Sequence, residues 1–173
     1  AQSAEKIILS TGMSTIDEVT EAIGVIAFAM TSSTSARPSK TSMSAAFESP
    51  EGKSAISERV ILLHCTTDYP TKPEDVNLKA MLTLGDKFKC QVGFSDHSVG
   101  VHLAVAAVAM GATIIEKHLT TSRALPGPDH KASLEPNEFK ALVHQIRELE
   151  SALGSGEKAP TEVEIALLKF SAK

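Results

Sequence analysis

Short apolar runs alternate with segments of helical periodicity along this chain. Four runs of three or four residues have the composition of strands, at residues 6–9, 60–63, 92–94 and 113–115. Apolar residues at helical spacing follow each run, near residues 16–27, 76–82, 101–110 and 136–153. The runs are almost continuously apolar, which is typical of parallel strands covered on both faces. The pattern therefore predicts an α/β domain built from four strand–helix units.

Local signals set the limits of several helices. Thr15, with Glu18 three residues later, predicts a capping box at the start of the first helix. Gly111 is placed to stop the alanine-rich third helix. The last long helix is predicted to begin near Pro136 and to end before Gly154.

A Ser/Thr-rich segment, residues 30–58, interrupts the first unit. Nine of the fourteen residues from Thr31 to Ser44 are serine or threonine, and the segment also contains Pro38, Pro50 and Gly52. This composition predicts a loop or a weakly ordered insertion that carries no chemistry.

Polar residues follow all four apolar runs, and their position at the carboxyl ends of the strands distinguishes between two α/β architectures. A doubly wound sheet would concentrate its ligand contacts at one crevice beside a Gly-rich first turn, and no GxGxxG or GxxxxGK[ST] motif occurs. Barrel enzymes instead build their sites from the carboxyl ends of many strands. The sequence therefore predicts a partial TIM (β/α)₈ barrel of about four βα units with parallel strands over residues 1–173, in which residues 155–173 form a C-terminal extension.

The composition excludes several function classes. A hydrophobic content of 42% with 22% charged residues is that of a globular domain, and no apolar run is long enough to span a membrane. The net charge of −4 and the absence of tryptophan give no reason to expect nucleic acid. Two cysteines do not make a disulfide framework. The first residues lack the pattern of a secretory signal, so we expect a cytoplasmic location.

The candidate chemistry is concentrated in two polar triplets, residues 95–97 (SDH) and 116–118 (EKH), each at the end of a strand. The strand period of two sends the outer members of each triplet to one face and the middle member to the other. If the two strands are neighbours, the imidazoles of His97 and His118 converge and suit Mn²⁺, Zn²⁺ or a similar ion. In the alternative interpretation, each histidine only hydrogen-bonds a carboxylate or a backbone group.

Two nucleophile arrangements were weighed against this interpretation. Ser95, Asp96 and His97 offer the residue types of a hydrolase triad, but they are consecutive and no GxSxG motif is present. His64 and Cys65 are adjacent on a strand and so point in opposite directions. Cys65 is therefore expected to be a thiol of the core.

Two further polar positions are open to two interpretations each. The loop at residues 126–130 has two prolines that limit its conformations, so it could hold Asp129 over a strand end, although a plain turn has the same composition. Tyr69, the only tyrosine, precedes a proline after the second strand. It could contact a ligand or simply pack in a turn.

Four motifs in order resemble the second half of the barrel domain of the N-acetylneuraminate (sialic acid) synthase family, which includes legionaminate synthases. They are LLHCTTDYPTKPEDVNLKAM (62–81), VGFSDHS (92–98), GATIIEKHLT (111–120) and LPGPDHKASLEP (125–136). The resemblance implies a transferase that condenses phosphoenolpyruvate with an N-acyl-mannosamine-type sugar such as N-acetylmannosamine, with uptake of water and release of phosphate. The product is a nine-carbon 2-keto acid of carbohydrate biosynthesis.

The resemblance also implies a metal centre. His97 and His118 match the family's ligands of a divalent metal, usually Mn²⁺, which polarises the aldehyde oxygen of the sugar while C3 of phosphoenolpyruvate attacks. Glu116 matches a carboxylate that lines the site and transfers a proton or orients a substrate.

Other site residues carry over by their positions in the motifs. Ser10 and Ser95 match contacts of the phosphate or carboxylate of phosphoenolpyruvate. Thr67 falls where some members have an asparagine with that role, which leaves its contact open. Tyr69 and Asp129 match residues that hold the amino sugar.

Part of the family's barrel has no counterpart in this sequence. The resemblance implies that four strands and a lysine-containing phosphoenolpyruvate site lie outside it, which leaves a metal and sugar half-site with few cations to balance an anionic substrate. Exposed strand edges and an apolar inner face favour a companion N-terminal half-barrel or a homo-oligomer. The alternatives are an inactive truncated remnant or an interaction module that binds metal or sugar without turnover, and a metal-dependent hydrolase or aldolase on the same face.

Overall fold

A computed structural model describes residues 5–33 and 35–171, so residues 1–4, Thr34 and residues 172–173 of the predicted domain lie outside the described residues. The strands are β1 (Ile7–Ser10), β2 (Val60–Cys65), β3 (Gln91–Asp96) and β4 (Ile115–Lys117). The helices are α1 (Ile16–Thr31), α2 (Lys40–Glu48), α3 (Pro50–Arg59), α4 (Pro73–Val76), α5 (Lys79–Phe88), α6 (His102–Ala109), α7 (Pro136–Leu153) and α8 (Glu162–Ser171).

The four strands form one parallel sheet in the order β1-β2-β3-β4, so strands that follow one another in sequence are neighbours in space. Helices follow each strand, and the sheet curls as half of a (β/α)₈ barrel. The predicted fold class is therefore confirmed. All four carboxyl ends meet at one edge of the sheet.

The core lies between the sheet and its helices. Outward-facing residues of β1 and β2 pack on α1, α3 and α5 in the largest cluster, whose fully buried members include Ile23, Ile56 and Leu62. A second cluster joins Phe94 of β3 to Met81 of α5. Burying one such side chain stabilises the fold by about 1.5–3 kcal/mol, so these contacts hold the strands that carry the polar ends.

The face of the sheet away from the helices is only partly filled. Leu63 is fully buried because it packs over Gly93, where a side chain would overlap its Cδ2 atom, and Ile61 is 6% exposed. Ile8, on the edge strand β1, is 53% exposed. The predicted apolar inner face is thus open mainly along β1.

The prediction of a loop in the Ser/Thr-rich segment is wrong, because residues 40–48 and 50–59 form helices. Ser39 accepts a hydrogen bond from the backbone of Ser42 at the start of α2. Ser49 caps α3 in the same way, with Pro50 in the first turn. Both helices pack against α1. Serine caps therefore start helices in a segment whose composition predicts a loop.

Most of the other predicted limits are confirmed. The capping box of Thr15 and Glu18 is formed, and α7 ends before Gly154. Gly111 has φ +103°, as its position after α6 requires. The second predicted helix is two helices, because Asn77 takes a left-handed conformation between α4 and α5. None of the helices within residues 5–33 and 35–171 is both long and apolar enough to cross a membrane.

Candidate active site

A cleft of about 270 Å³ lies at the carboxyl ends of the four strands. Its lining residues are Ser10, Gly12, Cys65, Thr67, Tyr69, Ser95, His97, Glu116 and His118. Seven of the eight predicted site residues are among them, and only Asp129 is not. The parallel sheet brings these residues together because each lies at, or just beyond, the end of its strand.

On the inner face, the two triplets meet residue by residue. Ser95 is paired in register with Glu116, and its hydroxyl donates a hydrogen bond of 2.6 Å to Oε1 of that carboxylate. Two residues further along the chain from each of these, the rings of His97 and His118 lie with centroids 5.5 Å apart and planes inclined by 79°. The predicted convergence of the imidazoles is confirmed.

On the outer face, the middle residues of the triplets also meet. Nζ of Lys117 is 2.9 Å from Oδ2 of Asp96, and neither side chain is more than 1% exposed. Both residues therefore point away from the cleft, as the strand period predicts.

The backbone orients the ring of His97. Its Nδ1 is 2.7 Å from the carbonyl oxygen of Thr66, which can only accept, so Nδ1 carries the proton and donates it. In the neutral ring, Nε2 then holds the lone pair, next to the hydroxyl of Ser95 at 3.1 Å. Such a bond to the far nitrogen is what fixes the tautomer of metal-binding histidines. The alternative, in which the histidine only hydrogen-bonds its neighbours, is equally consistent with these contacts, because Thr66 lies against one ring nitrogen and Ser95 against the other.

A divalent ion at this cleft would have two imidazoles as its protein nitrogen ligands. Within the described ranges, no group of three or more histidine, cysteine or acidic side chains is arranged to hold a metal. His97 and His118 could therefore supply two nitrogen ligands, and water or substrate oxygens would have to fill the other positions. Imidazole and oxygen ligands together suit Mn²⁺ or Zn²⁺.

Tyr69 covers both imidazoles. Its ring centroid is 4.2 Å from that of His97 and 5.3 Å from that of His118. Partial burial raises the pKa of the Tyr69 phenol, and the nearby Cys65, Asp129 and Glu116 add to the effect. A neutral hydroxyl therefore faces the cleft, on a ring that limits access to the histidines.

Gly12 and Cys65 form the wall near β1. A Cβ atom on Gly12 would lie 2.5 Å from Oγ1 of Thr67 and 3.1 Å from Sγ of Cys65, so glycine keeps this side of the cleft open. The prediction that Cys65 is a core thiol is wrong, since it lines the cleft. Burial raises the pKa of the Cys65 thiol despite opposing backbone hydrogen bonds from Thr11 and Gly12.

The loop after β4 contributes no charge to the cleft wall. Asp129 is exposed, and its backbone carbonyl accepts a hydrogen bond from Ser133, so its role toward a sugar stays a prediction. Arg123 is bound to Glu138 and to the carbonyl of Ser133. No lysine or arginine is among the described residues that line the cleft.

Three residues outside the predicted set shape the site. Thr66 acts through its carbonyl. Thr71 donates its backbone N–H to the carbonyl of His97 at 2.9 Å, and its buried hydroxyl binds the carbonyl of Asp68. Ser98 donates two hydrogen bonds to Oδ1 of Asp96. Backbone partners such as Thr66 leave no side-chain signal in a sequence.

The sequence matches the model of the NeuB family over residues 1–158. It is 43% identical over 161 residues to N,N'-diacetyllegionaminic acid synthase of Legionella pneumophila, which covers 93% of this chain and 39% of the relative. The enzyme of the same name from Campylobacter jejuni is 43% identical over 164 residues, covering 95% of this chain and 42% of the relative. The chain thus spans about two fifths of the length of these curated relatives.

Among solved structures, the N-acetylneuraminic acid (sialic acid) synthetase of Leptospira borgpetersenii, crystallised with citrate, superimposes with a TM-score of 0.62 at 33% identity. The match covers 94% of this chain and 56% of that one. Fold and sequence agree, and the chain belongs to the NeuB family.

Proposed function

We propose that this chain carries the metal and sugar half-site of a nonulosonic acid synthase, which joins phosphoenolpyruvate to an N-acyl-mannosamine-type sugar. The half-site comprises His97, His118, Ser95, Glu116 and Tyr69. The observation that supports it is the pair of imidazoles with ring centroids 5.5 Å apart at the ends of neighbouring parallel strands. Membership of the NeuB family, together with similarity to N,N'-diacetyllegionaminic acid synthases, supports the proposed reaction class.

In the proposed reaction, C3 of phosphoenolpyruvate forms a bond to the aldehyde carbon of the sugar, while water is taken up and phosphate is released. His97 and His118 would hold a divalent ion, with Mn²⁺ the expected metal, and that ion would supply Lewis-acid chemistry at the aldehyde oxygen. The tautomer of His97 is set by the carbonyl of Thr66, which leaves Nε2 available as a ligand.

The carboxylate of Glu116 is held for a second role. Ser95 binds its Oε1 oxygen, and Oε2 has no hydrogen bond to the described residues, so that oxygen can orient the sugar or exchange a proton with the developing hydroxyl. Tyr69 presents its phenol beside the histidines, where it can bind a sugar hydroxyl. Ser10 and Thr67 line the β1 side of the cleft and are proposed contacts of phosphoenolpyruvate.

The charge of phosphoenolpyruvate requires groups beyond this cleft wall. The described lining contains one carboxylate and no lysine or arginine, so the wall cannot offset the desolvation of a polyanion. Among the described residues, β1 and β4 each have a neighbouring strand on one side only. We therefore propose that a further half-barrel, in the same longer protein or in a companion chain, closes the sheet and supplies the cationic contacts.

Two assays on the same preparations test this proposal. The first titrates Mn²⁺ into the 173-residue chain and into a His97→Ala, His118→Ala variant, with binding followed by the loss of the free-ion paramagnetic resonance signal. The second measures phosphate release from phosphoenolpyruvate with N-acetylmannosamine and Mn²⁺. It is run with and without the segment of the Legionella pneumophila relative that this chain does not match.

We expect the chain to bind Mn²⁺ through the two histidines and to release phosphate only with the added segment. Equal Mn²⁺ binding by the chain and the double variant would refute the half-site. Phosphate release by the chain alone would refute the need for a companion. Metal binding without phosphate release under both conditions would favour an inactive module over a synthase.

A further inference from the structure

A buried ion pair lies directly behind the two metal-site histidines. Asp96 and Lys117 are register partners on β3 and β4, and each immediately precedes one of the imidazoles. Their charged atoms are 2.9 Å apart, with side-chain exposures of 0% and 1%. Oδ2 of Asp96 has no aligned hydrogen bond within the described part of the chain, so the ammonium of Lys117 is its partner.

Asp96 and Lys117 fix the chain on both sides of His97. The backbone N–H and the hydroxyl of Ser98 donate to Oδ1 of Asp96 at 2.8 and 2.6 Å. Nζ of Lys117 donates to the carbonyl of Ser98. His97 therefore lies between Asp96, which forms the ion pair, and Ser98, which is hydrogen-bonded to both Asp96 and Lys117.

The ion pair is also the last link between the two strands before the histidines. The register of β3 with β4 ends at Asp96 and Lys117. Beyond that point, the carbonyl of His97 accepts from Thr71 and the carbonyl of His118 accepts from Leu134, so the backbones bond to different neighbours. Within the described strands, the regular β3–β4 ladder therefore ends one residue before each imidazole.

We propose that Asp96 and Lys117 are positioning residues that set the spacing and orientation of His97 and His118 for a shared metal ion. The inference rests on the proposed function. A buried ion pair is a weak source of net stability, because desolvation of the two charges offsets their attraction. The location of the pair behind the histidines gives it a role beyond stability, since mutation of the groups that support metal ligands weakens metal affinity about 10–100-fold.

The test uses the double variant Asp96→Asn, Lys117→Met in the full chain. Removing one member alone would leave a buried charge without a partner and could unfold the chain. The double variant removes both charges, and the asparagine keeps an oxygen to accept from Ser98. Leu142→Ala is the matched control, because it removes buried volume from α7 while leaving β3 and β4 intact.

Three measurements are made on the wild type, the double variant, Leu142→Ala and His97→Ala. Circular dichroism with urea checks folding, and paramagnetic resonance gives the Mn²⁺ dissociation constant. Substoichiometric Mn²⁺ is then added to ¹⁵N-histidine-labelled protein, and the broadening of each imidazole signal is followed. In the wild type, the signals of His97 and His118 should broaden together.

For the double variant we expect a folded chain, a dissociation constant raised by about 10-fold or more, and broadening of the two imidazoles that is no longer matched. Leu142→Ala should bind Mn²⁺ as the wild type does. Wild-type affinity with joint broadening in the double variant would overturn the positioning role while leaving the half-site intact. An equal loss of affinity in Leu142→Ala would also overturn it.

The proposed function is tested separately, by Mn²⁺ binding to the wild type and to His97→Ala. If the wild type binds no Mn²⁺, or if His97→Ala binds as tightly as the wild type, the half-site itself is refuted.

Discussion

Gly93→Ala places a methyl group where β3, β4 and Leu63 meet. The added Cβ would lie 2.5 Å from the carbonyl oxygen of Ile114 and 2.6 Å from Cδ2 of Leu63. The carbonyl cannot turn aside freely, because it accepts the backbone N–H of Phe94 at 3.0 Å. Relief of the overlap therefore requires β4 to move away from β3 or Leu63 to leave its packed position.

The magnitude follows from these contacts. Overpacking of a tight core costs about 1–3 kcal/mol, and weakening the bond of Phe94 adds about 0.5–1.5 kcal/mol. Alanine also lowers the conformational entropy of the unfolded chain, which stabilises the folded state by about 0.4–1 kcal/mol. We expect a net loss of about 2–3 kcal/mol in the free energy of unfolding, which for a chain of this length lowers Tm by roughly 4–12 °C.

Urea unfolding followed by far-ultraviolet circular dichroism measures the loss, and an unchanged m-value would show that the unfolded states are comparable. Gly85→Ala is the matched control, since its Cβ would lie 3.2 Å from Cγ1 of Val92, a milder contact than the one at Gly93, while alanine improves the helix propensity of α5. We expect this control to change the free energy by less than about 1 kcal/mol. Equal effects of the two substitutions would refute the role of the β3–β4 contact.

Three further outcomes are expected from urea titrations. Thr15→Ala removes the cap of α1 and should cost about 1 kcal/mol, whereas Thr15→Ser should restore it; identical stability of the two variants would contradict the capping box. Lys117→Met leaves Asp96 buried without its partner and should lower the free energy of unfolding by about 3–5 kcal/mol. Lys53→Met, which breaks the exposed ion pair with Glu48, is its control and should change that free energy by less than about 1 kcal/mol. A small effect of Lys117→Met would argue against its burial as an ion. Burial raises the pKa of the Cys90 thiol from 9.0 to about 11, so the stability that the neutral thiol contributes is complete below pH 9 and is lost as the pH rises through 11. Cys90→Ala should therefore reduce the loss of stability at alkaline pH. An unchanged loss would exclude Cys90 as its origin.

The order of elements and the parallel sheet could be predicted because apolar periodicity responds to burial, which the fold determines over whole segments. Strand limits depend on single hydrogen bonds, which periodicity does not report. β4 was predicted at residues 113–115, and the structure has it at Ile115–Lys117. Residues 113 and 114 do bond to β3, through Thr113 N–H to Val92 and Phe94 N–H to Ile114, before the regular ladder begins.

The helices α2 and α3 are not predicted by composition, because a high serine content is typical of loops. Serine is unfavourable in helix interiors, but at a first position its hydroxyl accepts a backbone N–H. Ser49 followed by Pro50 and Glu51 is a helix start that the sequence did contain. Attention to position rather than to composition would have found it.

The cleft residues could be predicted because strand period and strand order together leave little choice of face. Ser95, Glu116 and the two histidines had to meet once β3 and β4 were neighbours. The supporting contacts could not be predicted in the same way. The carbonyl of Thr66 and the bond from Thr71 to His97 depend on the path of a loop, for which the sequence holds no periodic signal.

The buried pair of Asp96 and Lys117 has a consequence for how the sheet assembles. Sliding β4 by one residue along β3 would turn the lysine into the cleft and the histidine into the core, because side chains alternate between faces. The carboxylate of Asp96 would then be enclosed without a counter-charge, at a penalty that a purely hydrocarbon pair would not impose. Misaligned pairings are therefore penalised during folding at the place where a shift of one residue would separate His97 from His118, the two proposed metal ligands.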